Sequence, residues 1–162
     1  APLLDRIRVI RGVDERHQFT LMCRDLSEIA KYARVDNAQF RLLKATTPGS
    51  YTFILEGTKE LPRRLLHPKR KTIGLRVPDH SVVLALLAEL DEPLLSSTLI
   101  LPGDEQPLVD ADDIRAQLEK RLDAIIAAGP CGTEMTTVIN LTGDHPELIR
   151  AGCGPLAPCG LA

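Results

Sequence analysis

Aromatic side chains are scarce: Phe and Tyr make up 3% of the chain, and Phe19, Tyr32, Phe40, Tyr51 and Phe53 do not interleave with its basic residues. Base-stacking platforms of the kind that grip single-stranded nucleic acid are therefore not expected. Long apolar runs are missing too. No stretch approaches the ~20 residues that a membrane-crossing helix needs, so no membrane role is indicated and the cytoplasm is the expected compartment. Cysteines 23, 131, 153 and 159 form no C-x-x-C pair, which leaves no zinc site to expect. Cys23, in the apolar run Phe19–Cys23, reads as a buried free thiol, while Cys153 and Cys159 could pair or ligate only without the help of regular spacing. His17, His67, His80 and His145 are scattered, none with a helix-spaced partner of the metal-binding kind. No metal site and no nucleophile–base pair is visible. His80 stands where a helix should begin, as a cap or in solvent. Internal repeats and low-complexity tracts are also lacking.

What is present is enough for one sizeable core: 162 residues, 44% of them hydrophobic. A net charge of -2 argues against general coating of nucleic acid. Yet Lys59, Arg63, Arg64, His67, Lys69, Arg70 and Lys71 gather positive charge in one short segment. It reads either as a solvated loop and helix face or as a contact for an anion or RNA backbone. Arg63, Arg64, Lys69, Arg70 and Lys71 are then the RNA-facing residues, and they would read phosphate and duplex shape more than sequence.

The stretch Lys71–His80, KTIGLRVPDH, joins an apolar strand to a Gly-x-Arg-x-Pro turn. Gly74 lets a ligand or another chain approach the backbone, Pro78 stiffens the exit, and Arg76 offers a planar fork of donors suited to carboxylate or phosphate. A structural salt bridge is the competing reading for Arg76.

Hydrophobic periodicity and turn residues place the elements. Leu3–Ile10 reads as the end of a helix and Phe19–Cys23 as a strand. Asp25 to Glu28 forms a capping-box-like start of a helix to Ala33, and a second helix runs from Asp36 to Lys44. Pro48-Gly49 turns the chain into a strand, Tyr51–Leu55, where Ser50 and Thr52 face a ligand or satisfy local backbone. Leu61–Leu66 makes one or two helical turns, and Thr72–Val77 is a strand. Ser81–Leu90 is an amphipathic helix with Val82, Val83, Leu86, Leu87 and Leu90 at core spacing. Leu94–Leu101 is a buried strand. An acidic link, Asp104–Asp113, that could act as a lid leads to a helix over Ile114–Leu122. Strands follow at Ala124–Ile126, Thr136–Leu141 and Glu147–Arg150, the last two joined by a hairpin turn at Gly143-Asp144. This alternation predicts a single α/β domain over 1–162: a twisted mixed sheet with flanking helices and a concave basic face.

The blocks FTLMCRDLSE, PGSYTFIL, PRRLLHPKRKTIGLRVP and EPLLSSTLILPG, with Thr137-Val138-Ile139 and Leu148 to Gly152 near the end, resemble the YrdC-like family of threonylcarbamoyl-adenylate synthases, and within it the YciO-type branch. The resemblance spans nearly the whole chain. It implies an enzyme that converts ATP, L-threonine and bicarbonate into threonylcarbamoyl-adenylate and pyrophosphate for tRNA modification. ATP enters as a substrate with Mg, and no protein-bound metal is expected. The same fold implies an alternative, a non-catalytic module that binds nucleotide and double-stranded RNA.

Three departures from the family pattern stand out. The opening region with its Pro-Thr-Asp-Thr-x-Tyr-Gly-type motif has no counterpart, which reads as an N-terminally incomplete domain. The Lys-x-Arg motif falls on Arg11-Gly12-Val13 and keeps one cation. The Ser-x-Asn motif falls on Thr98-Leu99-Ile100 and keeps the hydroxyl without the amide. The residues implied for nucleotide and substrate are Arg11, Thr52, Arg76, Ser96, Thr98 and Arg150. Arg11 faces phosphate, Thr52 and Thr98 give hydroxyls, Arg76 holds a carboxylate or phosphate, and Arg150 closes the pocket or forms a structural salt bridge.

Overall fold

The structure, a computed structural model, describes residues 2–161. Five helices, α1 (Pro2–Arg11), α2 (Leu26–Tyr32), α3 (Asn37–Thr46), α4 (Ser81–Leu90) and α5 (Ala111–Leu118), alternate with six strands. These are β1 (Thr20–Met22), β2 (Tyr51–Glu56), β3 (Thr72–Arg76), β4 (Leu94–Ser96), β5 (Thr137–Asn140) and β6 (Glu147–Arg150). Two compact units result. One holds the residues up to His17 together with Ser97–Glu134, the other Gln18–Ser96 together with the residues from Met135 on.

All six strands lie in the second unit, in the order β4-β1-β3-β2-β5-β6. The pairs β1–β3 and β2–β5 are parallel, while β1–β4, β2–β3 and β5–β6 are antiparallel. This is the mixed α/β sheet expected from the alternation of strands and helices. Because strand side chains alternate between faces, one face takes Leu21, Ile73, Leu75, Tyr51, Phe53, Leu55 and Ile139. These residues form the core with Ile29 of α2 and Leu43 of α3. Phe53, Leu55, Leu75 and Ile139 are fully buried, each contributing roughly 1.5–3 kcal/mol.

Short polar side chains start the helices where the sequence places them. The Asp36 carboxylate accepts from Gln39 N–H at 2.8 Å and the Gln39 side chain accepts from Asp36 N–H at 2.8 Å, a complete capping box. At Asp25 the box is half formed: Asp25 accepts from Glu28 N–H at 2.9 Å, but the Glu28 carboxylate takes Arg24 N–H at 3.0 Å. His80 caps α4, its Nδ1 accepting from Val83 N–H at 3.4 Å.

Several expectations are corrected. The strand expected over Leu94–Leu101 ends at Ser96 and is only half-buried; Ser97 onward belongs to the other unit. Thr98 O accepts the Ile100 N–H at 3.0 Å, a local turn that removes these groups from a ladder. No strand forms over Ala124–Ile126: Ile126 is 60% exposed, so no face of that short run is buried. The acidic link is shorter than expected, since Asp110 caps α5 and the helix starts at Ala111. In α4, Leu87 is buried, whereas Val82 and Leu90 are exposed at 39% and 43%. A helix shows one stripe to a core, and the five apolar positions span a wider arc than the sheet covers.

In the first unit Leu4, Ile10 and Leu118 are buried. Gly12 ends α1 at φ +66°, where a Cβ would lie 2.7 Å from Pro102 Cγ, so both the backbone and the space call for glycine.

Candidate functional site

The face of the sheet opposite the core carries different chemistry from the core face. Register sets Ser96 beside Thr20 and Thr20 beside Gly74, and Gly74 beside Ile54. Continuing that β2–β3 register by one step brings Thr52 beside Arg76. The missing side chain of Gly74 opens the centre of this face: a Cβ there would lie 3.0 Å from Thr52 Cγ2 and 3.4 Å from Thr20 Oγ1. Thr52 is buried and shares a 2.8 Å hydroxyl hydrogen bond with Thr136. The result is a band of Thr and Ser hydroxyls around a glycine, with an arginine at the strand end.

Arg76 is the residue that stands apart. It is half-buried, and its Nε is shut off from solvent without any hydrogen-bond partner. No acid among the described residues pairs with it, so the salt bridge considered for it is not formed. Burial lowers the guanidinium pKa, yet arginine stays charged at any ordinary pH. Leaving a buried donor unpaired costs about 1–3 kcal/mol, and more for a charged group. A site that carries this cost is suited to an anionic ligand that restores the missing bonds.

Two other expected residues on this face are already engaged. Ser96 Oγ donates to Thr20 O at 3.0 Å. Arg150 donates from Nε and Nη2 to Thr136 O at 3.1 and 2.7 Å, and from Nη2 to Thr136 Oγ1 at 3.1 Å. The salt bridge considered for Arg150 is thus replaced by a clasp on the Thr136 backbone. Its effect is to hold Thr136, and through it Thr52, in place.

Arg11 and Thr98 lie in the first unit. Arg11 donates from Nε to Ile100 O at 3.0 Å and from Nη1 to Ser97 Oγ at 2.6 Å. His17 Nε2 also lies 3.1 Å from Ser97 Oγ. Desolvation first, then the charges of Arg11 and Arg8, lower the His17 pKa, with Asp14 acting against them. Ser97 and His17 were not singled out together from the sequence; the fold brings them into hydrogen-bond distance across an 80-residue separation, for which no sequence signal exists. Thr98 is exposed.

The basic segment is separate from Arg76. Lys71 precedes the first residue of β3 and Arg76 is its last, so the two lie about 16 Å apart along the strand. Arg63, Arg64, Lys69, Arg70 and Lys71 are exposed. The loop is fixed by itself: His67 Nδ1 accepts from Lys69 and Arg70 N–H at 3.2 and 3.1 Å, and Lys71 Nζ donates to Pro68 O at 2.7 Å. Among the described residues, no three His, Cys, Asp or Glu side chains gather to hold a metal, and no helix is long and apolar enough to cross a membrane.

The profile of the Sua5/YciO/YrdC family, described as telomere recombination, matches residues 2–152. The chain belongs to this family. The uncharacterized protein YciO of Escherichia coli (strain K12) is 54% identical over 155 residues, covering 96% of this chain and 75% of that protein. The crystal structure of E. coli YciO has a TM-score of 0.91 at 53% identity, covering 98% of this chain and 77% of that one. The threonylcarbamoyl-AMP synthase of Bacillus subtilis (strain 168) is 30% identical over 112 residues, 68% of this chain and 32% of that protein. A crystal structure of P. abyssi Sua5 complexed with L-threonine shares the fold, with a TM-score of 0.86 at 22% identity over 96% of this chain and 46% of that one. The family, the YciO likeness and the mixed α/β fold are thus as the sequence blocks imply.

Proposed function

We propose that the sheet face opposite the core binds the substrates of a threonylcarbamoyl-adenylate synthase, joining ATP, L-threonine and bicarbonate into threonylcarbamoyl-adenylate with release of pyrophosphate for tRNA modification. The observation that carries this reading is Arg76, a half-buried guanidinium without an acidic partner on a face lined with hydroxyls. Membership of a family with members named threonylcarbamoyl-AMP synthase, and a neighbour of the same fold complexed with L-threonine, support it.

The reaction asks for positioning and positive charge more than for covalent help. A carbamate oxygen attacks the α-phosphorus, the bond to pyrophosphate breaks, and charge builds on the non-bridging oxygens. In this reading the fork of Arg76 takes a carboxylate or phosphate, and the Thr52 hydroxyl orients the amino-acid or nucleotide substrate. Ser96 and Arg150 act through the groups they hold, Thr20 and Thr136. Within the first unit, taken by itself and apart from the sheet face, Arg11 is a proposed phosphate contact and Thr98 a proposed hydroxyl contact. Mg would enter on the phosphates of ATP, not on protein ligands.

The test is threonine- and bicarbonate-dependent pyrophosphate release, measured on the wild-type chain and on Arg76→Ala. Release that falls at least tenfold in the variant, at an unchanged thermal midpoint, is expected. A folded wild-type chain that neither turns over nor binds ATP or threonine would sink the reading.

A second reading rests on the basic segment, with Arg63 and Arg64 exposed on a 3-10 turn and Lys69, Arg70 and Lys71 exposed on the self-braced loop that follows. Here the chain is a non-catalytic module that holds double-stranded RNA or tRNA phosphates. Binding should then weaken with salt at a log-log slope of about -0.7 to -0.9 per phosphate neutralised, while an enclosed substrate site responds less.

A further inference from the structure

We propose that Ser97 is a nucleophile toward activated acyl groups carried on an anionic leaving group, with His17 as its proton acceptor. The geometry within the first unit supports it. Ser97 Oγ lies 2.6 Å from Arg11 Nη1 and 3.1 Å from His17 Nε2, both inside the reach of a working nucleophile–base pair. Arginine has donors only, so Oγ accepts from Arg11 and its own proton is left to point at His17 Nε2. That assignment requires the neutral imidazole with its ring proton on Nδ1. Burial, Arg11 and Arg8 all favour the neutral ring, against Asp14. The Arg11 cation favours alkoxide on Ser97 and suits a leaving group that is negative, such as the phosphate of an acyl phosphate.

The step balances without any further reagent. Ser97 Oγ forms a bond to the acyl carbon as its proton passes to His17 Nε2, the bond from that carbon to the phosphate oxygen breaks, and the phosphate departs as an anion. His17 then gives that proton to bulk water, takes one from the water that attacks the acyl carbon, and returns it to Ser97 Oγ as the acyl–Oγ bond breaks, which releases the carboxylic acid and regenerates both side chains. Arg11 is shared with the phosphate role proposed for it above, but neither Ser97 nor His17 is needed for the role given to Arg76.

The test is covalent labelling of the wild-type chain with a fluorophosphonate probe, followed by peptide mass mapping, with acetyl phosphate as competitor. A single adduct on Ser97 is expected, absent in Ser97→Ala and formed at least tenfold more slowly in His17→Gln and His17→Asn. The rate should rise with pH through the range in which His17, facing Arg8, Arg11 and Asp14, gives up its proton, and acetyl phosphate should slow it. No adduct on Ser97, or equal rates in folded His17 variants, overturns the proposal. Labelling indifferent to acetyl phosphate overturns the anionic leaving group. Threonine-dependent pyrophosphate release is a separate readout, so either result leaves the sheet-face reading to its own assay.

Discussion

The two faces of one sheet come from the same residues read alternately, yet they follow opposite rules. On the covered face, Leu21, Ile73, Leu75, Phe53, Leu55 and Ile139 pack in one apolar cluster and are almost fully buried. On the other face, Thr20 and Thr52 crowd Gly74, Ser96 and Thr136 lie beyond them, and Arg76 keeps a buried donor without a partner. The first arrangement lowers the energy of the fold. The second raises it locally, and positions that cost stability in the free protein are where ligand binding is to be sought.

Substitutions on the two faces should therefore separate stability from binding. Phe53→Ala, which empties a fully buried site, should cost about 3–5 kcal/mol in urea unfolding; a loss of binding at unchanged stability would place Phe53 with the other face. Arg76→Met should do the reverse. It should weaken ATP or threonine binding at least tenfold, about 1.4 kcal/mol, while leaving the midpoint unchanged or raising it, because a desolvated donor is removed. Gly74→Ala is intermediate: the added Cβ meets Thr52 Cγ2 at 3.0 Å, so calorimetry should show weaker ligand binding with a stability loss of about 1 kcal/mol or less. Arg150→Ala releases the Thr136 clasp and should cost about 1 kcal/mol in stability, with a smaller effect on binding than Arg76→Met. The smallest effect concerns the first unit. Since the folded-state pKa of His17 lies below its ordinary 6.5, the unfolded chain takes up the proton first, and stability falls as pH drops below that value. Thermal midpoints across this range should slope less in His17→Gln; an equal slope would contradict the shift.

The core face was legible because alternation is a local signal: the runs Tyr51–Leu55 and Thr72–Val77 announce strands by themselves, and β2 and β3 occupy them with little change. Capping was equally local: His80 caps its helix as its position suggests, and Asp25 supplies half of the expected box. The end of β4 was not legible. Ser96, Ser97 and Thr98 continue a strand pattern in sequence, and only tertiary context sends Ser97 into the other unit. The same holds for Arg76. Its turn marked it as an anion contact or a salt bridge, and the choice depended on whether an acid came near in space. The pairing of Ser97 with His17 joins segments 80 residues apart and left no trace in either one.

Calorimetric titration of ATP and L-threonine into the wild-type chain and Arg76→Met, with unfolding of both proteins followed in parallel, is the most direct test that the face opposite the core is a substrate site. Binding weakened at least tenfold in a variant as stable as the wild type, or more stable, is the result expected. Equal binding with a loss of stability would return Arg76 to the scaffold and contradict the account.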